Sequence, residues 1–136
     1  MASSERSCQK TEFRDEQQHA LKREGKVKLM SIYVGENDKW HEKPLYKAIF
    51  ECMRANDIAG VTAYQGVLGF GANRRIHHRS ALGFSHDRPI MLSVIDTEEN
   101  LREMAPLLDE MAGEGLIAMS DVEVIKYVHL GAKRSH

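Results

Sequence analysis

No apolar run in this chain approaches the roughly 18 residues that cross a bilayer, so membrane insertion is not expected. The N-terminus also lacks the apolar stretch of a signal peptide. Only two cysteines are present, Cys8 in a polar leader and Cys52 on the apolar face of a predicted helix. Two such residues do not build a disulfide framework, so a reducing cytoplasm is the expected compartment. Charge of one sign is not in excess either. The net charge is −1 and the pI about 6.7, which argues against a general binder of nucleic acid or membrane surfaces. A P-loop and a complete dinucleotide fingerprint are both missing. At 136 residues, 42% hydrophobic and 29% charged, the composition is that of one small soluble domain with tails.

What is present concentrates between Gly66 and Ile90, GVLGFGANRRIHHRSALGFSHDRPI. From Gly71 to Arg88 this segment holds Arg74, Arg75, Arg79 and Arg88 against one acid, Asp87. That is +3 in a chain of −1, which leaves −4 for everything else. His77, His78 and His86 can add charge as pH falls toward about 6. Guanidinium groups beside glycines between two apolar runs suit the capture of an anion.

The remaining pattern places this segment in a fold. Residues 1–26 are polar and poor in apolar side chains, a leader expected to be mobile. A domain over 27–129 follows, with a short tail at 130–136. Lys28–Val34 reads as a strand, and Pro44 suits the start of a helix carrying Leu45, Ala48, Ile49, Cys52 and Met53 on one face. Val61–Leu68 and Pro89–Ile95 read as strands two and three. Asp96 or Thr97 caps a second helix with the stripe Leu101, Met104, Leu108 and Met111, and Pro106 should kink it. Asp121–Val128 reads as the fourth strand. This β-α-β-β-α-β order predicts an α+β, ferredoxin-like sandwich with a four-stranded antiparallel sheet. Two helices cover one sheet face, yet Leu29, Tyr33, Met91 and Ile95 make the other apolar as well. A second copy of the chain is the simplest cover, so a homo-oligomer is expected.

Leu68-Gly69-Phe70 echoes Leu82-Gly83-Phe84, which suggests the two arms of a long hairpin with Arg75–Ala81 at its tip. Gly69 and Gly71 can bring backbone N–H groups close to phosphate, or simply make a bulge or turn. The arginines can grip an anion or merely solvate a loop. His77 and His78 point to opposite faces of a strand and have few nearby ligands, so no metal site is assigned. Ser80 and Ser85 near histidines, and the cluster Glu36, Asp38, His41 and Glu42, do not make a catalytic constellation.

KLMSIYVGENDKWHEKPLYKAI, GVTAYQGVLGFGANRRIHHRS, DRPIMLSVID and EGLIAMSDVEVIKY together resemble the uncharacterised PII-like family, domain of unknown function 190, of the PII superfamily. The resemblance covers Val27 to about Val128. It implies a trimer with adenine nucleotides in clefts between subunits. By the same resemblance Gly60-Val61-Thr62 places Thr62 near the base of a long loop. Gly69-Phe70-Gly71 is the loop root, and Gly113-Glu114-Gly115 the turn before the last strand. The lysine-bearing turn that neutralises phosphate in true PII proteins is missing here, which makes Arg74, Arg75 and Arg88 the candidate replacements. Between Ala72 and Asp87 there is no tyrosine to uridylylate.

The expected function is therefore a non-enzymatic, homotrimeric, cytoplasmic regulator. It would bind AMP, ADP, ATP or a similar anion through Thr62, Gly69, Phe70, Gly71, Arg74, Arg75, Arg88, Gly113 and Gly115. No cofactor is required, and a membrane transporter is the candidate partner, a hint the resemblance supplies. The alternatives are a trimeric metal-binding protein of the divalent-cation-tolerance type and a small hydrolase.

Overall fold

Val27–Gly35, the first strand (β1), alternates between a buried face of Met30, Ile32 and Val34 and an open face of Leu29, Ser31 and Tyr33. The computed structural model describes residues 27–70, 76–78 and 87–127. The leader expected over 1–26 and the tail over 130–136 lie outside the described residues.

A tight hairpin, β2 (Lys39–Trp40) and β3 (Lys43–Pro44), follows β1. Its turn residues His41 and Glu42 have φ of 47° and 70°, the doubly left-handed backbone of a twisted two-residue turn. Pro44 serves as the residue before helix α1 (Leu45–Ala55), and the Leu45 N–H bonds the Asp38 carbonyl at 2.7 Å. The five residues of the predicted stripe, Leu45, Ala48, Ile49, Cys52 and Met53, are the five it buries. Asn56 closes the helix.

β4 (Gly60–Gln65) is followed by a short hairpin of β5 (Leu68–Phe70) and β6 (Ile76–His78). β7 (Pro89–Thr97) leads directly into α2 (Glu98–Met111), where Thr97 Oγ1 accepts the Asn100 N–H at 3.2 Å and Glu98 and Glu99 occupy the positive end. Leu101, Met104, Leu108 and Met111 are buried as the spacing requires, and Pro106 lies inside the helix on its exposed side. β8 (Leu116–Asp121) completes an antiparallel sheet in the order β4-β7-β1-β8.

Both helices pack on one face, over Met30, Ile32, Val34, Ile90, Leu92 and Val94. The ferredoxin-like sandwich is as the sequence predicts. On the other face the register aligns side chains in rows across all four strands. Thr62, Ser93, Ser31 and Ala118 form one row, and Tyr64, Met91, Tyr33 and Leu116 the next. The open face is therefore aromatic and aliphatic in one row and small and mostly polar in its neighbour.

Three boundaries differ from the sequence reading. The second strand, expected over Val61–Leu68, ends at Gln65, and Leu68 begins a separate strand. The last strand is Leu116–Asp121, not Asp121–Val128. Pairing of β8 begins opposite Tyr33 immediately after the tight turn at Gly115 and reaches Lys28 at Asp121, which leaves only Val27 of β1 beyond it. The hairpin beyond β4 is also shorter than expected. Gly69 pairs with His77, so Ile76–His78 is an arm of the hairpin, where Arg75–Ala81 was expected to be its tip. Closing a five-residue connection costs less chain entropy than closing a longer one.

Candidate functional site

A cleft of about 490 Å³ opens at the end of the sheet where β1 leaves, β4 ends and β7 and β8 begin. Its base is the bulky row: Tyr64, Met91, Tyr33 and Leu116 reach it from all four strands. Leu68, Gly69 and Phe70 of β5 form one wall, and Glu114 and Gly115 of the turn before β8 contribute to another. Asp38, whose carboxylate accepts the Gly35 N–H at 2.7 Å, closes the β1 end. Tyr64, Leu68, Phe70 and Leu116 are more than half exposed, so the chain holds large apolar groups against water at one place.

Glycines make this shape sterically. A Cβ on Gly69 would lie 3.2 Å from Pro89 Cβ, and one on Gly115 would lie 3.0 Å from the Tyr33 carbonyl oxygen and 3.2 Å from that of Ala112. Gly115 therefore allows the α2–β8 turn to press against β1, with its N–H donated to the Ala112 carbonyl at 2.7 Å. Neither glycine adopts a left-handed φ. At Gly69 the missing side chain permits a close approach to Pro89.

The chain re-enters the sheet beside the cleft through a polar clasp. Arg88 Nη1 donates to Gln65 Oε1 at 2.5 Å, and Gln65 Nε2 donates to Glu36 Oε1 at 2.9 Å. The Arg88 N–H reaches Glu36 Oε2 at 3.3 Å, while its carbonyl accepts the Glu36 N–H at 2.8 Å. Asn37 N–H adds a bond to Asp87 Oδ1 at 3.3 Å. Together these tie the β1–β2 turn, the end of β4 and the start of β7.

Three of the residues singled out in the sequence, Gly69, Phe70 and Gly115, meet in the cleft although up to 46 positions separate them. Thr62 lies on the open face in the small row next to it, and Gly113 is exposed, with nothing within 4 Å of the place a Cβ would take. Arg88 is held by Gln65 and does not line the cleft. Gly71, Arg74 and Arg75 lie outside the described residues. The charged side chains among the described lining are Asp38 and Glu114. Tyr33, Tyr64 and Leu116 escaped the sequence-based site assignment. Their signal was the apolar alternation of the second sheet face.

At the opposite end of the sheet lies a separate charged group. Lys28 bonds Asp121 and sits 3.8 Å from Glu98, which accepts from Arg102 Nε at 2.8 Å. The bond to Asp121 holds the Lys28 ammonium above its usual pKa, and the bond from Arg102, then the charge of Lys28, holds Glu98 below its own. Among the described residues, no group of three or more His, Cys, Asp or Glu is placed to hold a metal ion. Among the same residues no helix is long and apolar enough to cross a membrane.

Comparison with known proteins bears on this architecture. The family model described as DUF190, "Uncharacterized ACR, COG1993", matches residues 27–124. The UPF0166 protein MJ1524 of Methanocaldococcus jannaschii is 32% identical over 102 residues, covering 74% of this chain and 94% of that protein. A UPF0166 protein of Aquifex aeolicus is 30% identical over 102 residues with the same coverage. Among solved structures, CPII from Thiomonas intermedia K12 bound to ADP and bicarbonate superposes with a TM-score of 0.54 at 15% identity, covering 74% of this chain and 89% of that one. A second structure of CPII, a nitrogen regulatory PII-like protein bound to ADP, AMP and bicarbonate, gives 0.50 at 19% identity with the same coverage.

Proposed function

This chain belongs to the DUF190 family, with a PII-like fold, and we propose that it is a non-enzymatic regulatory protein that binds an adenine nucleotide. The sites are clefts between the subunits of a homotrimer in the cytoplasm. The observation that carries this reading is the meeting of Gly69, Phe70 and Gly115 in one cleft floored by Tyr33 and Tyr64. Flat aromatic and aliphatic surface suits a purine ring. Gln65 and Glu114 supply polar groups able to fix its edge or the ribose. The CPII structures, solved with ADP or with ADP and AMP, support the same ligand class.

Phosphate is assigned to the arginines that follow the loop root, Arg74 and Arg75, with backbone N–H groups at Gly69 and Gly71. Arg88 takes part by fixing the root through Gln65 and Glu36. Ligand binding at the loop root would change the fit of this side of the molecule to a regulated partner, for which we propose a membrane transporter. Val67, Leu68 and Phe70 form an exposed apolar tip on this side of the molecule, suited to such a contact.

Thermal shift and calorimetry with AMP, ADP and ATP test the reading. Selective binding to the native state raises the melting temperature, and replacing Arg74 and Arg75 by Ala should weaken the affinity with little change in Tm of the free protein. The reading fails if no adenine nucleotide protects the protein from heat.

A further inference from the structure

Half of the basic side chains among the described residues fall within one stretch of sixteen. Lys39, Lys43, Lys47 and Arg54 stand there against Glu42 and Glu51, a net of +2. The other described residues carry four cations and thirteen acids, a net of −9. The stretch comprises the β2–β3 hairpin and nearly all of α1, and Lys43 Nζ of the hairpin donates to Glu51 Oε2 of the helix at 3.0 Å. Among the described residues, Lys39, Lys47 and Arg54 make no ion pair with a carboxylate.

The same stretch exposes aromatic surface. α1 buries Leu45, Ala48, Ile49, Cys52 and Met53 on the side facing the sheet. On the far side Tyr46, Phe50 and Arg54 follow one another at four-residue spacing, a single line along the helix. Phe50 is 38% exposed in the middle of that line. Lys47 Nζ lies 6.0 Å from the centre of the Tyr46 ring, at the outer reach of a cation–π contact. Half-buried Trp40 meets His41 edge-on, with ring centres 4.5 Å apart. The frame is fixed. His41 and Glu42 hold their left-handed turn, and the Asp38 carbonyl and carboxylate accept the N–H groups of Leu45 and Gly35, each at 2.7 Å. A face already in place loses little conformational freedom when a partner binds.

We propose that the hairpin and the outer side of α1 dock an acidic segment of a partner protein. Its carboxylates meet Lys39, Lys47 and Arg54, and an apolar side chain covers Phe50. Tryptophan, tyrosine, phenylalanine and arginine are enriched at protein contacts, and three of them concentrate the binding energy there. The charge pattern selects the shape of the partner as well as its sign. α1 is about 16 Å long at about 1.5 Å per residue, and exposed charges are screened over about 8 Å in physiological salt. A narrow acidic segment therefore meets mainly the +2 face. A lipid surface or a nucleic-acid duplex spreads negative charge beyond that face and also meets the −9 remainder, where like charges repel. The proposal goes beyond the nucleotide reading and does not depend on it.

The probe is a synthetic peptide of Glu-Glu-Leu repeats, added to the isotope-labelled full chain and followed by nuclear magnetic resonance and calorimetry. Amide signals of 39–54 should move, and the affinity should fall as salt is raised. Lys47→Glu combined with Arg54→Glu should weaken binding by about tenfold or more. Phe50→Ser leaves the charge alone and should weaken it by about fivefold. All three side chains are exposed, so the variants should melt as the wild type does. Should one of them fail to fold, Lys39→Glu on the hairpin makes the same comparison without touching the helix. No binding by the wild type, shifts confined to 66–90, or undiminished affinity after charge reversal overturns the proposal. So does tighter binding to phosphatidylglycerol vesicles or to duplex DNA than to the peptide.

Discussion

The Gly66 N–H donates to the Pro89 carbonyl at 2.7 Å, and a methyl group on Gly66 would stand 2.7 Å from Pro89 Cγ. The end of β4 and the start of β7 are thereby pressed together with no room for a side chain. Gly66→Ala should cost about 1–3 kcal/mol, the usual scale of overpacking, read as a lower urea midpoint. Gly113→Ala, with open space around it, should stay within about 0.5 kcal/mol of wild type. Equal midpoints for the two variants would show that the close approach is not needed.

Gly115→Ala meets two backbone carbonyls, those of Tyr33 and Ala112, which cannot swing aside as a side chain does. The turn must shift, and Leu116 with it. Adenine nucleotide affinity should fall by about tenfold, or about 1.4 kcal/mol, more than for Gly113→Ala. Calorimetry of the two variants side by side decides the point.

Arg88 and Gln65 should behave as one unit. In a double-mutant cycle of Arg88→Ala and Gln65→Ala, the second change should cost less once the first is made, with a coupling of about 0.5–1 kcal/mol. Additive losses in urea denaturation would mean that the 2.5 Å bond contributes nothing in solution.

Glu98 sets part of the acid response. Its carboxyl is held below the ordinary 4.5, first by Arg102 and then by Lys28, so its folded form binds a proton less readily than the unfolded chain. The stabilisation is present above about pH 4.5 and is lost as pH falls through the lower, folded value. Glu98→Gln should therefore lower Tm modestly at pH 7 and flatten its decline below about pH 5, so that variant and wild type converge in acid. Lys28 is shifted the other way, so its contribution holds below its ordinary range and disappears only at alkaline pH above it.

Periodicity made both helices legible, down to the buried residues Leu45, Ile49, Leu101 and Leu108, because burial on one face is the dominant local signal. It misplaced the last strand for a physical reason. Val122, Val124 and Ile125 have the better strand composition, but register against β1 and the turn at Gly115 favour Leu116–Asp121. Gly69 and Gly115 carried a signal because glycine marks close backbone approach, although the neighbour is protein, Pro89 and Tyr33, in this structure. Tyr33, Tyr64 and Leu116 come together only through a four-strand register, which no single segment of the chain encodes. The bond between Arg88 and Gln65 likewise spans 23 residues and leaves no local trace.

Tyr64 and Leu116 stand on the outermost strands of one sheet, joined rung by rung through Met91 and Tyr33. The gap between them is therefore gauged by three hydrogen-bonded ladders, as the span of a bridge is gauged by its deck. A visiting molecule of the wrong girth cannot spread these two residues apart without unzipping backbone. Any accommodation of size must come from the Leu68–Phe70 side, which hangs from the deck by its ends.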